Sequence, residues 1–554
     1  MDQGRITGMT SILSLLFAVS AQAKDFAAVP GEFVVKLKPT TSIMSKANLN
    51  RTLGGQVKET VNKNERLVLV QRPLVELQAS AVQSLQQNPM VEYAEPNFIY
   101  KVNGHRINAG ASSLPNDTEL GRLWGMINTG QSVEGDGGAI LGRPGIDIDA
   151  KKAWEIETGS KEVVVAVIDT GVNYLNPDLE ANIYTNEAEK NGQAGVDDDK
   201  NGCVDDVHGC DFANGDSDPM DVYGHGTHCG GTIGGVGNNN QGIVGVAWNV
   251  RLLPVRFLGD DGGGTLANAI KSIDYATAMK VTIMSNSWGG GGFSQALMDS
   301  IIRAKDAGIL FIAAAGNSAN DNDSQPEYPA GYLVDNVMAV AAIDPTGALA
   351  DFSNFGKSTV HIAAPGVNVL SYTMRGLESW SGTSMATPHV AGVAALVYSQ
   401  DMTQSYLTVK NRLLSSARPL GTLRGKVATN GIVNAYYALT NAVAPADPLD
   451  PFNWAKDAQQ VSTNHPYENK ATQTWTFKVE GAKQVAIYFT KFETEAGYDK
   501  VFFKNAKGEV VGNMSGRRGE GFGPVVEGDT VTITFTSDDS VNAYGFDVGG
   551  VAYQ

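Results

Sequence analysis

The chain has 554 residues, enough for about three domains, and 42% are apolar, which excludes wholesale disorder. Lys and Arg number 42 against 59 Asp and Glu, a net charge of −17; without a basic block nothing neutralises phosphates, which argues against a nucleic-acid partner. Three cysteines are too few for a disulfide scaffold.

In chain order, Arg5, an apolar stretch at residues 9–19 and the small-x-small site Ala21-Gln22-Ala23 read as a signal peptide over residues 1–23. Export to the extracellular space, or to a periplasm, is expected. No other run approaches 18 apolar residues, so no membrane span is expected. Residues 31–38 alternate like a strand, 77–85 read as a helix and 91–100 as a second strand. The Gly-, Ser-, Asn- and Pro-containing stretch at 103–116 suits a cleavable linker. Residues 118–440 then alternate apolar strands (163–168, 281–284, 309–314) with helices (267–279, 296–306), which predicts a doubly wound, mostly parallel α/β sheet. Three prolines in residues 444–451 mark a linker. Short strands at 474–479, 485–489, 500–503, 530–535 and 545–548 predict an all-β sandwich.

Three clusters in the central segment carry chemistry. Val167-Ile-Asp169-Thr-Gly171 puts an acid at a strand end. Gly224-His225-Gly-Thr-His228 puts an imidazole among glycines, and Gly382-Thr-Ser384-Met-Ala-Thr-Pro388 puts a hydroxyl at a helix start. A Ser hydroxyl needs a base to become a nucleophile, and an imidazole needs a carboxylate to fix its tautomer. Beside Ser384 the free N–H groups of the helix start suit an oxyanion, and Pro388 is placed in the first turn, where a missing N–H costs little. The order Asp, His, Ser differs from both other common serine-hydrolase orders, and Ala386 breaks a G-x-S-x-G elbow. Asn317, after the strand at 309–314, is placed to donate to the same oxyanion.

Residues 160–400 resemble the subtilisin-like serine proteases (subtilases) through Asp169-Thr-Gly171, Gly224 to His228, Ser287-Trp-Gly289, Ala315-Gly-Asn317 and Gly382 to Pro388, in the family's order. The resemblance implies that Asp169 orients, His225 is the base, Ser384 attacks and Asn317 completes the oxyanion hole. It assigns Ser287, Trp288, Gly289 and Gly316 to the binding of protein or peptide substrates. Cys229-Gly230-Gly231 departs from the family's usual Val or Cys then Ala-Gly; a buried, inert thiol is expected there.

Asp197, Asp199, Asn201 and Gly202 match the opening of an EF-hand loop, but His208 stands where its closing Glu belongs. Asp205 or Asp206 is expected to complete a Ca²⁺ site. Cys203 and Cys210 flank this loop; export permits a disulfide between them, two free thiols being the other reading.

Residues 30–101 resemble the ferredoxin-like inhibitory propeptide of subtilases, and the C-terminal strands resemble a CUB domain, which nominates Glu495, Asp499 and Asp538 as further Ca²⁺ ligands. The expected organisation is signal peptide 1–23, inhibitory propeptide 24–110, peptidase 115–440, linker 441–455 and CUB-like sandwich 456–554. The chain is read as a monomeric, secreted, self-processed serine endopeptidase. The alternative is an inactive extracellular binding protein led by the CUB-like domain.

Overall fold

A computed structural model describes residues 27–39, 46–73, 78–102, 119–135 and 138–554. The expected signal peptide and the linker at 103–116 lie outside the described residues. The N-terminal unit runs Ala28–Leu37, Lys46–Leu53, Gln56–Asn62, Leu67–Gln71, Gln78–Gln86, Val91–Val102, in β-α-β-β-α-β order. Its strands stand antiparallel as Val91–Val102, Ala28–Leu37, Leu67–Gln71, Gln56–Asn62, the ferredoxin-like arrangement. The two-residue period of a strand sorts its apolar side chains. Phe33, Val35, Val68 and Val70 pack under the unit's own helices, while Val34, Leu67 and Leu69 join the core of the next domain.

That domain is built on a nine-stranded sheet in the order Arg418–Pro419, Gly431–Ile432, Ile362–Pro365, Val337–Ile343, Leu310–Ala314, Ile283–Asn286, Gly159–Asp169, Asn249–Arg256, Cys210–Asp211. All neighbours are parallel except the Arg418–Pro419 edge. Residues 163–169 are buried throughout, because helices cover both sheet faces. One cover includes Thr383–Gln400 and His225–Gly234; the other includes Leu266–Ala278 and Gln295–Asp306. The chain leaves Gly159–Asp169 on one side for Asn249–Arg256 and returns on the other as Ile283–Asn286. This reversal opens a crevice at the carboxyl end of the Gly159–Asp169 strand, where α/β folds place their sites.

The C-terminal domain is a sandwich. One sheet contains Ala455–Asp457, Gly545–Tyr553, Gln484–Glu493 and Gly521–Phe522; the other Thr472–Lys478, Thr530–Thr536, Lys500–Lys504 and Val510–Met514. Phe477, Phe489, Phe492, Phe503, Phe535 and Phe546 fill the space between them. Among the described residues, no helix is long and apolar enough to cross a membrane.

Candidate functional site

Asp169 ends its strand at the crevice, and Oδ1 lies 2.7 Å from Nδ1 of His225, the first residue of the His225–Gly234 helix. The approach requires glycine after His225: a Cβ on Gly226 would lie 2.0 Å from the Gly171 carbonyl oxygen. Both side chains are buried, and Asp169 Oδ2 and His225 Nε2 have no hydrogen-bond partner. Burial opposes the imidazolium, but the Asp169 carboxylate, its hydrogen bond and the neighbouring Cys229 together outweigh that and hold the His225 pKa well above its ordinary value. His228, one turn on, behaves differently. It stacks on Trp380 at 5.4 Å, and its Nε2 lies 2.9 Å from the Val369 carbonyl oxygen. Burial pushes its pKa down to about 3, so it is a neutral packing residue.

Ser384 is the second residue of the Thr383–Gln400 helix, so its backbone N–H has no helical acceptor. Its Oγ donates to the Ser287 carbonyl at 2.8 Å, and Ser287 Oγ donates back to the Ser384 carbonyl at 3.0 Å. Pro388 accounts for the return bond. The sequence expectation put it in the first turn; it is the sixth helical residue. Lacking an N–H, it leaves the carbonyl four residues earlier, that of Ser384, without its helical donor. Ser287 Oγ and the Cys229 thiol, 3.5 Å away, supply replacements. Burial pushes the Cys229 pKa up, so the thiol stays protonated and can donate. The same sulfur lies 4.0 Å from His225 Nδ1, so Ser384 and His225 share a neighbour.

Asn317 follows the Leu310–Ala314 strand, and its Oδ1 accepts from the Thr383 N–H and hydroxyl, both at 2.9 Å. With the oxygen so held, the amide NH₂ faces away from Thr383. Sequence reasoning missed Thr383; only its place beside Ser384 hinted at it. Gly316, at φ +110°, is required twice over, since a Cβ would also meet the Asn354 amide at 2.3 Å.

The last strand of the N-terminal unit reaches this crevice. Ile99, Tyr100 and Lys101 pair antiparallel with Thr265, Gly264 and Gly263, while Lys101 and Val102 pair with Gly289 and Trp288. Residues 99–102 thus form the middle strand of three. Upstream, Glu95 accepts from Ser294 Oγ and from the Gln295 and Ala296 N–H groups, at the start of the Gln295–Asp306 helix. Asn97 Oδ1 accepts from the Ala267 N–H at the start of the Leu266–Ala278 helix. Thr265 and Ser294 cap these two helices, and the N-terminal unit supplies further acceptors for their first N–H groups.

The acidic loop divides. Carboxylate oxygens of Asp199 and Asp206 lie within 4.8 Å of one another and of Glu189. Sequence reasoning missed Glu189, which stands outside the loop on the short Glu187–Lys190 helix. Asn201 Nδ2 donates to Asp206 Oδ2 at 2.9 Å. Asp197 instead accepts from the Asn201 and Gly202 N–H groups, and Asp205 from that of Gly195. Asp206 is fully buried, and burial pushes its pKa up to about 6. A disulfide joins Cys203 and Cys210. In the sandwich, oxygens of Glu495, Asp499 and Asp538 also lie within 4.8 Å, and Glu495 Oε2 is buried without a partner. Both acid sets offer clustered hard oxygens, the donor chemistry of Ca²⁺.

Comparison with known proteins matches residues 160–446 to the subtilase family, residues 18–97 to the fervidolysin N-terminal prodomain and residues 453–549 to the CUB domain. The thermophilic serine proteinase of Bacillus sp. (strain AK1) is 33% identical over 418 residues, which cover 75% of this chain and 88% of that one. Thermitase of Thermoactinomyces vulgaris is 37% identical over 294 residues, 53% of this chain and 93% of its own. Subtilisin-like protease 1 of Plasmodium berghei (strain Anka) is 35% identical over 308 residues, about half of each chain (52% and 51%).

Proposed function

The chain belongs to the subtilase family and is a subtilisin-like serine endopeptidase with an N-terminal prodomain and a C-terminal CUB domain; on that footing we propose that Asp169, His225 and Ser384 are its catalytic triad. The observation that carries this is a buried imidazole whose Nδ1 is held by Asp169 and whose Nε2 has no partner, with the Cys229 sulfur near both that ring and the carbonyl of Ser384, whose hydroxyl stands at a helix N-terminus. In the reaction Ser384 Oγ exchanges the Ser287 carbonyl for Nε2 as its proton acceptor. His225 removes the proton as Oγ attacks the scissile carbonyl, and Asp169 stabilises the imidazolium. The oxyanion accepts from the Ser384 N–H and Asn317 Nδ2. His225 then protonates the leaving amine, and water hydrolyses the acyl-enzyme by the reverse steps.

Peptide substrates add a strand between residues 263–265 and 288–289, the place taken by residues 99–102. Occupying that place, the prodomain keeps the precursor silent until the chain is cut beyond residue 102. Residues 1–23 serve as a signal peptide for export, and the mature protein is a monomer. The working boundaries are 24–110 for the prodomain, 115–440 for the peptidase, 441–455 for the linker and 456–554 for the CUB domain.

The subtilase family commonly binds structural calcium. Here Glu189, Asp199 and Asp206 would hold one ion, with Asp197, Asn201 and Asp205 of the same loop as further candidates. Glu495, Asp499 and Asp538 would hold another. The ions would neutralise buried carboxylates and cross-link loops, with no part in the chemistry.

The test is the Ser384→Ala precursor. It is expected to stay full length, while the unaltered protein releases a fragment beginning after residue 102. Equal processing of both would sink the assignment.

A further inference from the structure

Asn317 stands at the edge of an exposed turn: Ser318 and Ala319 face solvent, and Ala319 adopts φ 52°. An oxyanion donor gains its effect from being fixed before the charge develops. Thr383 fixes one end of the Asn317 side chain but holds none of the backbone beyond Gly316.

The backbone is held by Asn354, which is fully buried and lies in the segment after the Val337–Ile343 strand. Its Oδ1 accepts from the Ser318 N–H at 2.9 Å and the Asn320 N–H at 3.0 Å. Its Nδ2 donates to the Ala315 carbonyl at 3.1 Å, and its own N–H donates to the Gly316 carbonyl at 2.9 Å. These bonds bracket Asn317 on both sides. A second amide, Asn322, also donates to the Ala315 carbonyl and accepts from Asn354 Nδ2 at 3.1 Å, so the orientation of the Asn354 amide is itself fixed. The space is full, since the Asn354 amide occupies the position a Gly316 side chain would need.

We propose that Asn354 is a positioning residue for the reaction: it touches no substrate, and it sets the place of the Asn317 amide by holding the backbone of residues 315–320. This rests on the reading of Asn317 as an oxyanion donor and goes beyond it by naming what keeps that donor in place. An Ala at 354 removes the shared acceptor of the Ser318 and Asn320 N–H groups and one of the two amide donors to the Ala315 carbonyl, and the turn settles elsewhere. Displacement of a preorganised group by about 1 Å is enough for a large loss of rate.

The experiment is a double-mutant cycle on a peptide nitroanilide, with kcat normalised to titrated active sites. Asn317→Ala alone should lower kcat by about 10²–10³; if it does not, the oxyanion reading fails and this inference falls with it. Given that loss, Asn354→Ala should lower kcat about tenfold or more with KM within about twofold. Added to Asn317→Ala, the same change should cost less than about twofold more. Asn354→Asp, which keeps the acceptor for Ser318 and Asn320, should lose less than the Ala variant. It also reads the same coupling if the Ala variant does not fold. Equal losses with and without Asn317, or a loss carried by KM, would overturn the proposal while leaving the role of Asn317 intact.

Discussion

At the scale of the residue, the site works through contacts that supply missing partners. Pro388 frees a carbonyl, and Ser287 and Cys229 satisfy it. Asp169 lies against His225 in a buried setting where its charge is strongly felt. Replacing it should show in the pH profile. The His225 pKa is raised by Asp169, so kcat/KM rises with pH as the imidazolium loses its proton. Asp169→Asn removes the stabilising charge, so the acid limb should move to lower pH while kcat falls about 10⁴-fold. An unmoved limb would contradict the pairing. The Asp169–His225 pair, and Ser384 as the proposed nucleophile, could be singled out in the sequence because that chemistry requires those residue types in recognisable settings. Thr383, Asn354 and Glu189 were not: each acts through a neighbour that only folding brings close.

At the scale of the element, strands buried on both faces were legible as unbroken apolar runs such as residues 163–168. Strands of the N-terminal unit at Gln56–Asn62 and Leu67–Gln71, and the Lys46–Leu53 helix, were missed; Leu67–Gln71 is a short apolar run, while the polar patterns of the other two acquire meaning only against partners. Two helices make a similar point, since Leu266–Ala278 and Gln295–Asp306 were legible, but the acceptors that the prodomain adds to their own Thr265 and Ser294 caps were not. Glu95 is almost fully buried there, and burial pushes its pKa up to about 7 despite three hydrogen-bond donors. The free prodomain carries an ordinary carboxyl near 4.3. Docking therefore favours the protonated form: affinity is greatest below the free pKa and declines as pH rises through about 7. The inhibition constant of the separate prodomain should rise between pH 5 and 8, and Glu95→Gln should flatten that dependence. A constant that falls over the same range would reverse the sign and refute the account of Glu95.

At the scale of the whole molecule, the three-part organisation was legible from changes of periodicity, alternating strands, then strand–helix repeats, then strands alone. How the parts meet was not, because the strand spanning Gly263–Thr265 and Trp288–Gly289 comes from residues far away in the chain. The calcium reading also belongs here. An ion at about 100 times its dissociation constant stabilises the folded state by roughly 2.7 kcal/mol, which corresponds to a Tm shift of about 5 °C. Chelation should therefore lower Tm by about that much, and Asp206→Asn should remove most of the effect from the peptidase transition. An unchanged melting curve would leave the acidic loop without a metal.

The most direct measurement on the catalytic assignment is the site of reaction with a fluorophosphonate, located by peptide mass spectrometry of the processed protein. The account predicts one adduct per chain, on Ser384 Oγ, and none after His225→Ala over the same interval. An adduct on another residue, or labelling of Ser384 at an undiminished rate without His225, would contradict it.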